Sequence, residues 1–375
     1  MKFAYIVGAR PNFVKTAPVI AAMRRRFPVA DHVVIHTGQH YDREMSELLL
    51  EQLDFAEPKY FLGVGSATHA AQTARVMERL EPILERERPS LLFVPGDINS
   101  TLAAALVAAK LELPIAHIES GLRSFDRSMP EEINRIVADA VADYLLVHSD
   151  EGVANLLAEG VGDERIHFVG NTMIDSLVAV EPRFRALGVA ERLGARPGEY
   201  LLVTLHRPSL VDGPLLARVM DELSAVARVL PIIFPMHPRT RKMLGAPPDR
   251  PGLLLTGPMG YLEFLSLEAD ATAVLTDSGG VQEETTYLGV RCFTLRANTE
   301  RPVTVRLGTN VLLGLEPTRV GDIVPLLESG PRRVAVVPPL WDGQAAERIA
   351  DVVAREGRPT ANRASAAAPR ADPTP

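Results

Sequence analysis

Ile166-His167-Phe168-Val169 runs directly into Gly170-Asn171-Thr172-Met173-Ile174-Asp175-Ser176-Leu177, a short apolar run halted by glycine near the middle of a 375-residue chain. What lies on either side of it decides the fold. Upstream, apolar runs recur at Phe3–Val7, His32–His36, Leu91–Val94, Ile115–Ile118 and Tyr144–Val147, separated by segments of ten or more residues with helical character. Downstream they recur at Tyr200–Thr204, Ile232–Pro235, Gly252–Leu255, Ala273–Thr276 and Val290–Thr294. Apolar strands without alternation, set between helices, indicate a parallel sheet covered on both faces. Some six runs up to Val169 and five or six after it are too many for one comfortable doubly wound sheet, and each half reads as a complete βαβ array.

The sequence therefore predicts an α/β chain of two Rossmann-like doubly wound domains, residues 1–172 and 173–342. Gly170–Leu177 is the passage between them, and a cleft is expected where the strand ends face each other. A helical segment, residues 343–357, is expected to pack back on the N-terminal domain. Residues 358–375, rich in Arg, Ala, Ser, Thr and Pro without periodicity, are expected to form a disordered tail.

Composition narrows the function. Hydrophobic residues make up 46% and charged residues 23%, which excludes a wholly disordered chain. Lys plus Arg minus Asp plus Glu is 40 − 47 = −7, so no bulk positive field exists for nucleic acid or an anionic membrane. The single cysteine, Cys292, allows no intrachain disulfide and no Cys-based zinc site. The longest charge-free stretch, Tyr60–Ala74, is broken by polar residues and falls short of the ~20 apolar residues of a membrane span. A cytoplasmic location is expected.

Two junctions invite anions. After the first run comes Gly8-Ala9-Arg10-Pro11-Asn12-Phe13-Val14-Lys15, a glycine turn before a helix with Arg10 and Lys15 adding charge. Taken alone it reads as an ordinary turn. The stronger signal is Thr276-Asp277-Ser278-Gly279-Gly280-Val281-Gln282-Glu283-Glu284, where Ser278 and the N–H groups of Gly279 and Gly280 can point at one diphosphate. Glu284, a turn further on, suits ribose hydroxyls. In the first half Asp97, Glu119 and Glu131 stand at or just after strand ends, where they would converge on one pocket. Crowding there would raise at least one carboxyl and leave a proton poised for general acid/base work. His206 and His237 follow strands of the second half and could contact a phosphate or protonate a leaving oxygen. His148 and His167 read as structural, and no cluster has metal-ligand spacing.

Together these segments resemble the non-hydrolysing UDP-N-acetylglucosamine 2-epimerase family. The resemblance rests on Gly8-Ala9-Arg10-Pro11 with Lys15, Thr37-Gly38-Gln39-His40, Gly96-Asp97, His117–Arg123, Pro130–Arg135, Gly170–Asp175, His206-Arg207, Ser278–Glu284 and Thr299-Glu300-Arg301-Pro302, in order along most of the chain. It implies the glycosyltransferase-B architecture and interconversion of UDP-GlcNAc and UDP-ManNAc without metal, nicotinamide or other cofactor. It places Arg10, Ser278, Gly279 and Gly280 at the diphosphate, Glu284 at the ribose and Phe264 at the uracil. Lys15 and Arg301 would complete the nucleotide-sugar contacts, with Gln39, His40 and His237 also at the substrate. Asp97, Glu119, Glu131 and His206 occupy the catalytic positions. The partners implied are a UDP-sugar and, as is common in the family, a second copy in a homodimer. Residues 121–130 are shorter than in well-known bacterial members, where that neighbourhood helps to bind a second, activating UDP-GlcNAc in some.

The alternatives are a hydrolysing 2-epimerase releasing ManNAc and UDP, a glycosyltransferase of the same fold, and a silent nucleotide-sugar-binding protein. Crowded carboxylates argue against the last, since they add nothing to the binding of an anion.

Overall fold

In the first strand, Phe3, Tyr5 and Val7 enter one apolar cluster while Ala4 and Ile6 enter another, so the strand is buried on both faces. The computed structural model describes residues 1–39, 49–55, 57–245, 250–329 and 336–356. Its strands are β1 (Lys2–Val7), β2 (Asp31–His36), β3 (Tyr60–Phe61), β4 (Leu91–Pro95), β5 (Ile115–Ser120), β6 (Tyr144–Val147) and β7 (Ile166–Phe168). They continue as β8 (Leu201–Thr204), β9 (Ile232–Pro235), β10 (Leu253–Thr256), β11 (Ala273–Thr276), β12 (Arg291–Thr294) and β13 (Asn310–Leu312).

They form two sheets, ordered β3-β2-β1-β4-β5-β6-β7 and β10-β9-β8-β11-β12-β13. Every pairing within them is parallel. Both follow the doubly wound 3-2-1-4-5-6 order, the first with one strand added. The second sheet repeats the two-sided burial: Leu201 and Val203 pack into one cluster and Leu202 into another.

The segment Gly170–Leu177, read from sequence as a passage, turns at Gly170 (φ +92°) and then forms the helix Thr172–Arg185. That helix packs against Arg10–Arg26 of the first half and against Tyr261–Ala269 and Gly279–Leu288 of the second. The last helix, Ala345–Glu356, lies on Arg10–Arg26. Asp175 caps it by accepting from the N–H groups of Ala345 (3.1 Å) and Ala346 (2.7 Å). Residues 358–375 lie outside the described residues.

Candidate active site

Each sheet has a switch point where strand order reverses, and ligands of open α/β sheets bind there. In the first it falls between β1 and β4, which deliver Arg10 and Asp97. In the second it falls between β8 and β11, which deliver His206 and Ser278.

Glu119 is aimed by a defect in β5. Pairing with β6 shifts register between Ile118 and Ser120, and Glu119 has φ +69°. A bulge re-aims one side chain, and a left-handed glutamate costs on the order of 1–2 kcal/mol. The carboxylate is buried between Lys15 Nζ and Arg301 Nη2, the latter at 2.6 Å. Burial pushes the Glu119 carboxyl up, but Lys15 and Arg301 outweigh it and hold it below its ordinary value. Arg301 also meets Glu300 at 2.7 Å and Glu283 at 3.1 Å, and Glu283 lies 2.9 Å from His148 Nε2. Burial opposes ionisation of Glu283 too, yet Arg301 and His148 bring it down to about 2. One buried ion network thus ties the ends of β5 and β6 to the second sheet.

Asp97 sits beside this network. Gly96, with φ +62°, packs so closely that a Cβ would lie 3.1 Å from Lys15 Nζ and 3.4 Å from Glu119 Oε2. Arg135 Nη2 donates to the Asp97 carboxylate at 2.5 Å, and Asn134 Nδ2 donates to its carbonyl at 2.8 Å. Glu131 opens the same helix, Pro130–Val141, and is half-buried. Its neighbour Glu132 is buried and accepts from Ser124, Phe125 and Arg135. The structure differs here from the expectation of mutual crowding. Cations stand between the acids, so Glu119 is lowered rather than raised.

On the second sheet Ser278 stands at the N-cap of Gly279–Leu288 without a side-chain cap bond. A Cβ on Gly279 would lie 2.8 Å from Arg301 Cζ, so the start of this helix abuts the ion network. Glu284 is buried and accepts from Tyr261 Oη at 3.2 Å. Burial pushes it up to about 7, Tyr261 opposing and Glu283 adding to the rise. Arg10, the first residue of the helix Arg10–Arg26, lowers both Glu284 and His237 by its charge. His206 Nδ1 lies 3.0 Å from Asp277, whose carboxylate also accepts from the N–H groups of His206 (2.9 Å) and Arg207 (2.7 Å). Burial opposes the charge of Asp277, but His206 keeps it below the ordinary range. His237 stacks obliquely on His206 at 5.6 Å, and burial with that neighbour brings it to about 4. Phe264 is half-buried on Tyr261–Ala269, against the cluster of Val274 and Val281.

Several candidates are engaged differently from the sequence expectation. Lys15 and Arg301, expected on the nucleotide sugar, are both buried against Glu119. The Gln39 amide oxygen accepts from Ser100 N (3.0 Å) and Oγ (2.8 Å), tying two turns together. The N–H groups of Gly8 and Ala9 donate to Asn12 Oδ1 at 3.2 Å. His40 lies outside the described residues. His148, read as structural, belongs to the network; its place directly after β6 was the available signal. Nothing in the sequence marks Arg135 or Glu283 as ion partners, because a buried ion partner has no pattern of its own there.

Ligating atoms of Glu119, His148 and Glu283 lie within 4.8 Å of one another. Both carboxylates already face Arg301, and Glu119 also faces Lys15, so a divalent cation would have to displace formal positive charge. The donor set fits the protein's own cations better than a metal.

Two Rossmann-like lobes in the glycosyltransferase-B arrangement, one bearing acids and the other an anion-seeking helix end, define a class of nucleotide-sugar enzymes. A family model for UDP-N-acetylglucosamine 2-epimerase matches residues 22–354. The chain belongs to that family. It is 38% identical over 372 residues to a UDP-N-acetylglucosamine 2-epimerase of Methanocaldococcus jannaschii, covering 94% of this chain and 99% of the relative. It is equally 38% identical over 371 residues to a UDP-2,3-diacetamido-2,3-dideoxy-D-glucuronate 2-epimerase of Pseudomonas aeruginosa, covering 95% and 100%. The crystal structure of the Methanocaldococcus enzyme with UDP-GlcNAc and UDP superposes with a TM-score of 0.86, covering 95% of this chain and 100% of the other. No helix among the described residues is long and apolar enough to cross a membrane.

Proposed function

We propose that this chain interconverts UDP-GlcNAc and UDP-ManNAc by eliminating UDP to 2-acetamidoglucal and adding it back, without net hydrolysis. The observation that carries the reading is the Glu119–Arg301 pair, which holds an acid of the first lobe against the start of the diphosphate-seeking helix of the second. The C2 proton of the intact sugar is not adjacent to a carbonyl, so a carboxylate cannot remove it directly. When the C1–O bond breaks, its electron pair leaves on the diphosphate oxygen and positive charge at C1 acidifies C2–H. The proton passes to a carboxylate and the C–H pair becomes the C1–C2 double bond. Protonation of the other face of C2, followed by attack of the diphosphate oxygen on C1, gives the epimer.

Glu119, kept ionised, is the base for one face. Glu131, half-buried and with no ion pair among the described residues, is the group for the other. Asp97 shares the transfers. His206 and Arg10 stabilise the departing diphosphate, Ser278 and the first N–H groups of its helix bind it, Glu284 takes the ribose and Phe264 the uracil. A homodimer, a cytoplasmic location and the lobe boundary at residues 172–173 belong to the same proposal.

Incubation with UDP-GlcNAc in D2O, followed by NMR, tests it. UDP-ManNAc deuterated at C2 is expected. Free ManNAc would instead mean hydrolysis. Turnover of the diacetamido-glucuronate nucleotide alone would move the substrate toward the Pseudomonas relative's.

A further inference from the structure

We infer that His117 is a buried imidazolium that positions Asp97 by holding the Gly96 carbonyl; this rests on the role just proposed for Asp97. The hydrogen-bond inventory carries the charge state. His117 is fully buried on β5, its Nε2 lies 2.7 Å from the Gly96 carbonyl oxygen, and its Nδ1 lies 2.7 Å from Asp139 Oδ1. A carbonyl oxygen only accepts, so Nε2 must carry a proton. Asp139 Oδ2 accepts from Arg123 Nη1 (2.7 Å) and from Gly121 N (3.1 Å); the permanent guanidinium charge favours the carboxylate, and the proton on the Asp139–His117 contact rests on imidazole, the stronger base of the two. Burial opposes that charge, but His117 and Arg123 keep the Asp139 carboxyl below its ordinary value. With Asp139 ionised its Oδ1 is also acceptor only, so Nδ1 must carry a proton as well. Both ring nitrogens donate, and the ring is positively charged.

The position of this charge gives it a role. Gly96 and Asp97 share the peptide whose carbonyl His117 holds. The following carbonyl, that of Asp97, is held by Asn134, and the Asp97 carboxylate by Arg135. Three side chains from two elements therefore fix one residue at consecutive points. The His117 end is anchored outward through Asp139 and Arg123 to Glu159, at 2.6 Å to each of its oxygens. His117 touches no group that would meet the sugar, so it is a positioning residue acting through Asp97.

The test is 15N NMR of the full chain with labelled histidine at pH 7.5, the His117 signals being identified by their loss in His117→Gln. A proton on both ring nitrogens is expected. One unprotonated nitrogen overturns the inference. The spectrum is that of the unsubstituted chain, and where His117→Gln fails to fold the same loss in His117→Leu identifies the signals. In turnover, His117→Gln keeps one donor near the Gly96 carbonyl and is expected to lose about 10-fold in kcat. His117→Leu keeps none and should lose about 100-fold. UDP affinity by calorimetry should stay within about twofold in both, because neither Arg10 nor the residues proposed for the nucleotide in the other lobe contact His117 among the described residues. Full kcat in His117→Leu, or equal losses of kcat and UDP affinity, overturns the positioning role. Undiminished turnover in Asp97→Asn, measured alongside, overturns the role of Asp97 but not the charge on His117, which the nitrogen signals report independently.

Discussion

Replacing Arg301 by Gln separates two accounts of this residue. If Arg301 serves the nucleotide sugar, the loss should fall on UDP affinity; if it serves the ion network, the loss should fall on stability and kcat. The guanidinium is buried and meets Glu119 at 2.6 Å, Glu300 at 2.7 Å and Glu283 at 3.1 Å. Removing one partner of a buried pair costs about 3–5 kcal/mol, because the remaining charge is stranded. The fall of the Glu283 carboxyl from 4.5 to about 2 corresponds to about 3 kcal/mol favouring its ionised form, the same order. Urea denaturation should lose about 3–5 kcal/mol at pH 7.5, and the melting temperature about 5–10 °C. The sign with pH is fixed. Carboxyls lowered by folding contribute stability present above their unfolded value of about 4.3 and lost as pH falls toward 2. The gap between parent and variant should therefore be full at pH 7 and close below about pH 4. Glu119→Gln combined with Arg301→Gln should be less destabilised than the two losses summed. A stability loss under about 1 kcal/mol together with a 100-fold loss of UDP affinity refutes the network and returns Arg301 to the ligand.

Glu284, pushed up to about 7, is stabilising below its unfolded value of about 4.3, and that contribution is lost as pH rises through 7. The melting temperature of the unliganded chain, compared with Glu284→Gln, should therefore fall from about pH 4.3 to pH 7 and level off above. If the carboxylate accepts from ribose, UDP binding at pH 6.5 should release protons in the parent only, seen as heats that change with the buffer. Asp97→Asn should lose about 10²–10⁴-fold in turnover while UDP affinity is retained, measured by coupled assay and calorimetry. Asp175→Ala removes the cap of Ala345–Glu356 and should lower stability by about 1 kcal/mol with kcat unchanged, the last helix exchanging its amide hydrogens faster. With 18O in the bridging position of UDP-GlcNAc, scrambling into the diphosphate should keep pace with or exceed deuterium exchange at C2; faster exchange at C2 would mean that the proton leaves first.

The two sheets were legible because strands buried on both faces write continuous apolar runs, and the switch-point residues because they follow those runs. β3 (Tyr60–Phe61) and β13 (Asn310–Leu312) were not, being edge strands of two and three residues, too short to carry a pattern. Asp97, Glu119 and His206 could be placed at strand ends, but their partners could not. Glu119 is 104 residues from Lys15 and 182 from Arg301, and nothing local announces either contact. The bulge that turns Glu119 was equally silent, since the run Ile115–Ser120 holds no glycine or proline to mark it. Hence the expectation of crowded carboxyls. Composition shows how many acids share an edge, while their charge states depend on which cations fold in between.

That difference bears on the order of bond breaking. A carboxylate held low by Lys15 and Arg301 is reliably ionised and correspondingly weak as a base. It is poorly suited to take a proton from C2 of an intact sugar, which is a far weaker acid than any carboxyl. Beside a C1 that already carries positive charge, the requirement changes. The C2 proton becomes acidic enough for a weak base, and a fixed negative charge close to C1 favours the cation itself. In the proposed reaction Lys15 and Arg301 keep Glu119 from taking up a proton before its turn, at the expense of basicity that this order of events does not need. An acid edge laced with cations therefore suits the proposed order, in which the nucleotide departs before proton transfer.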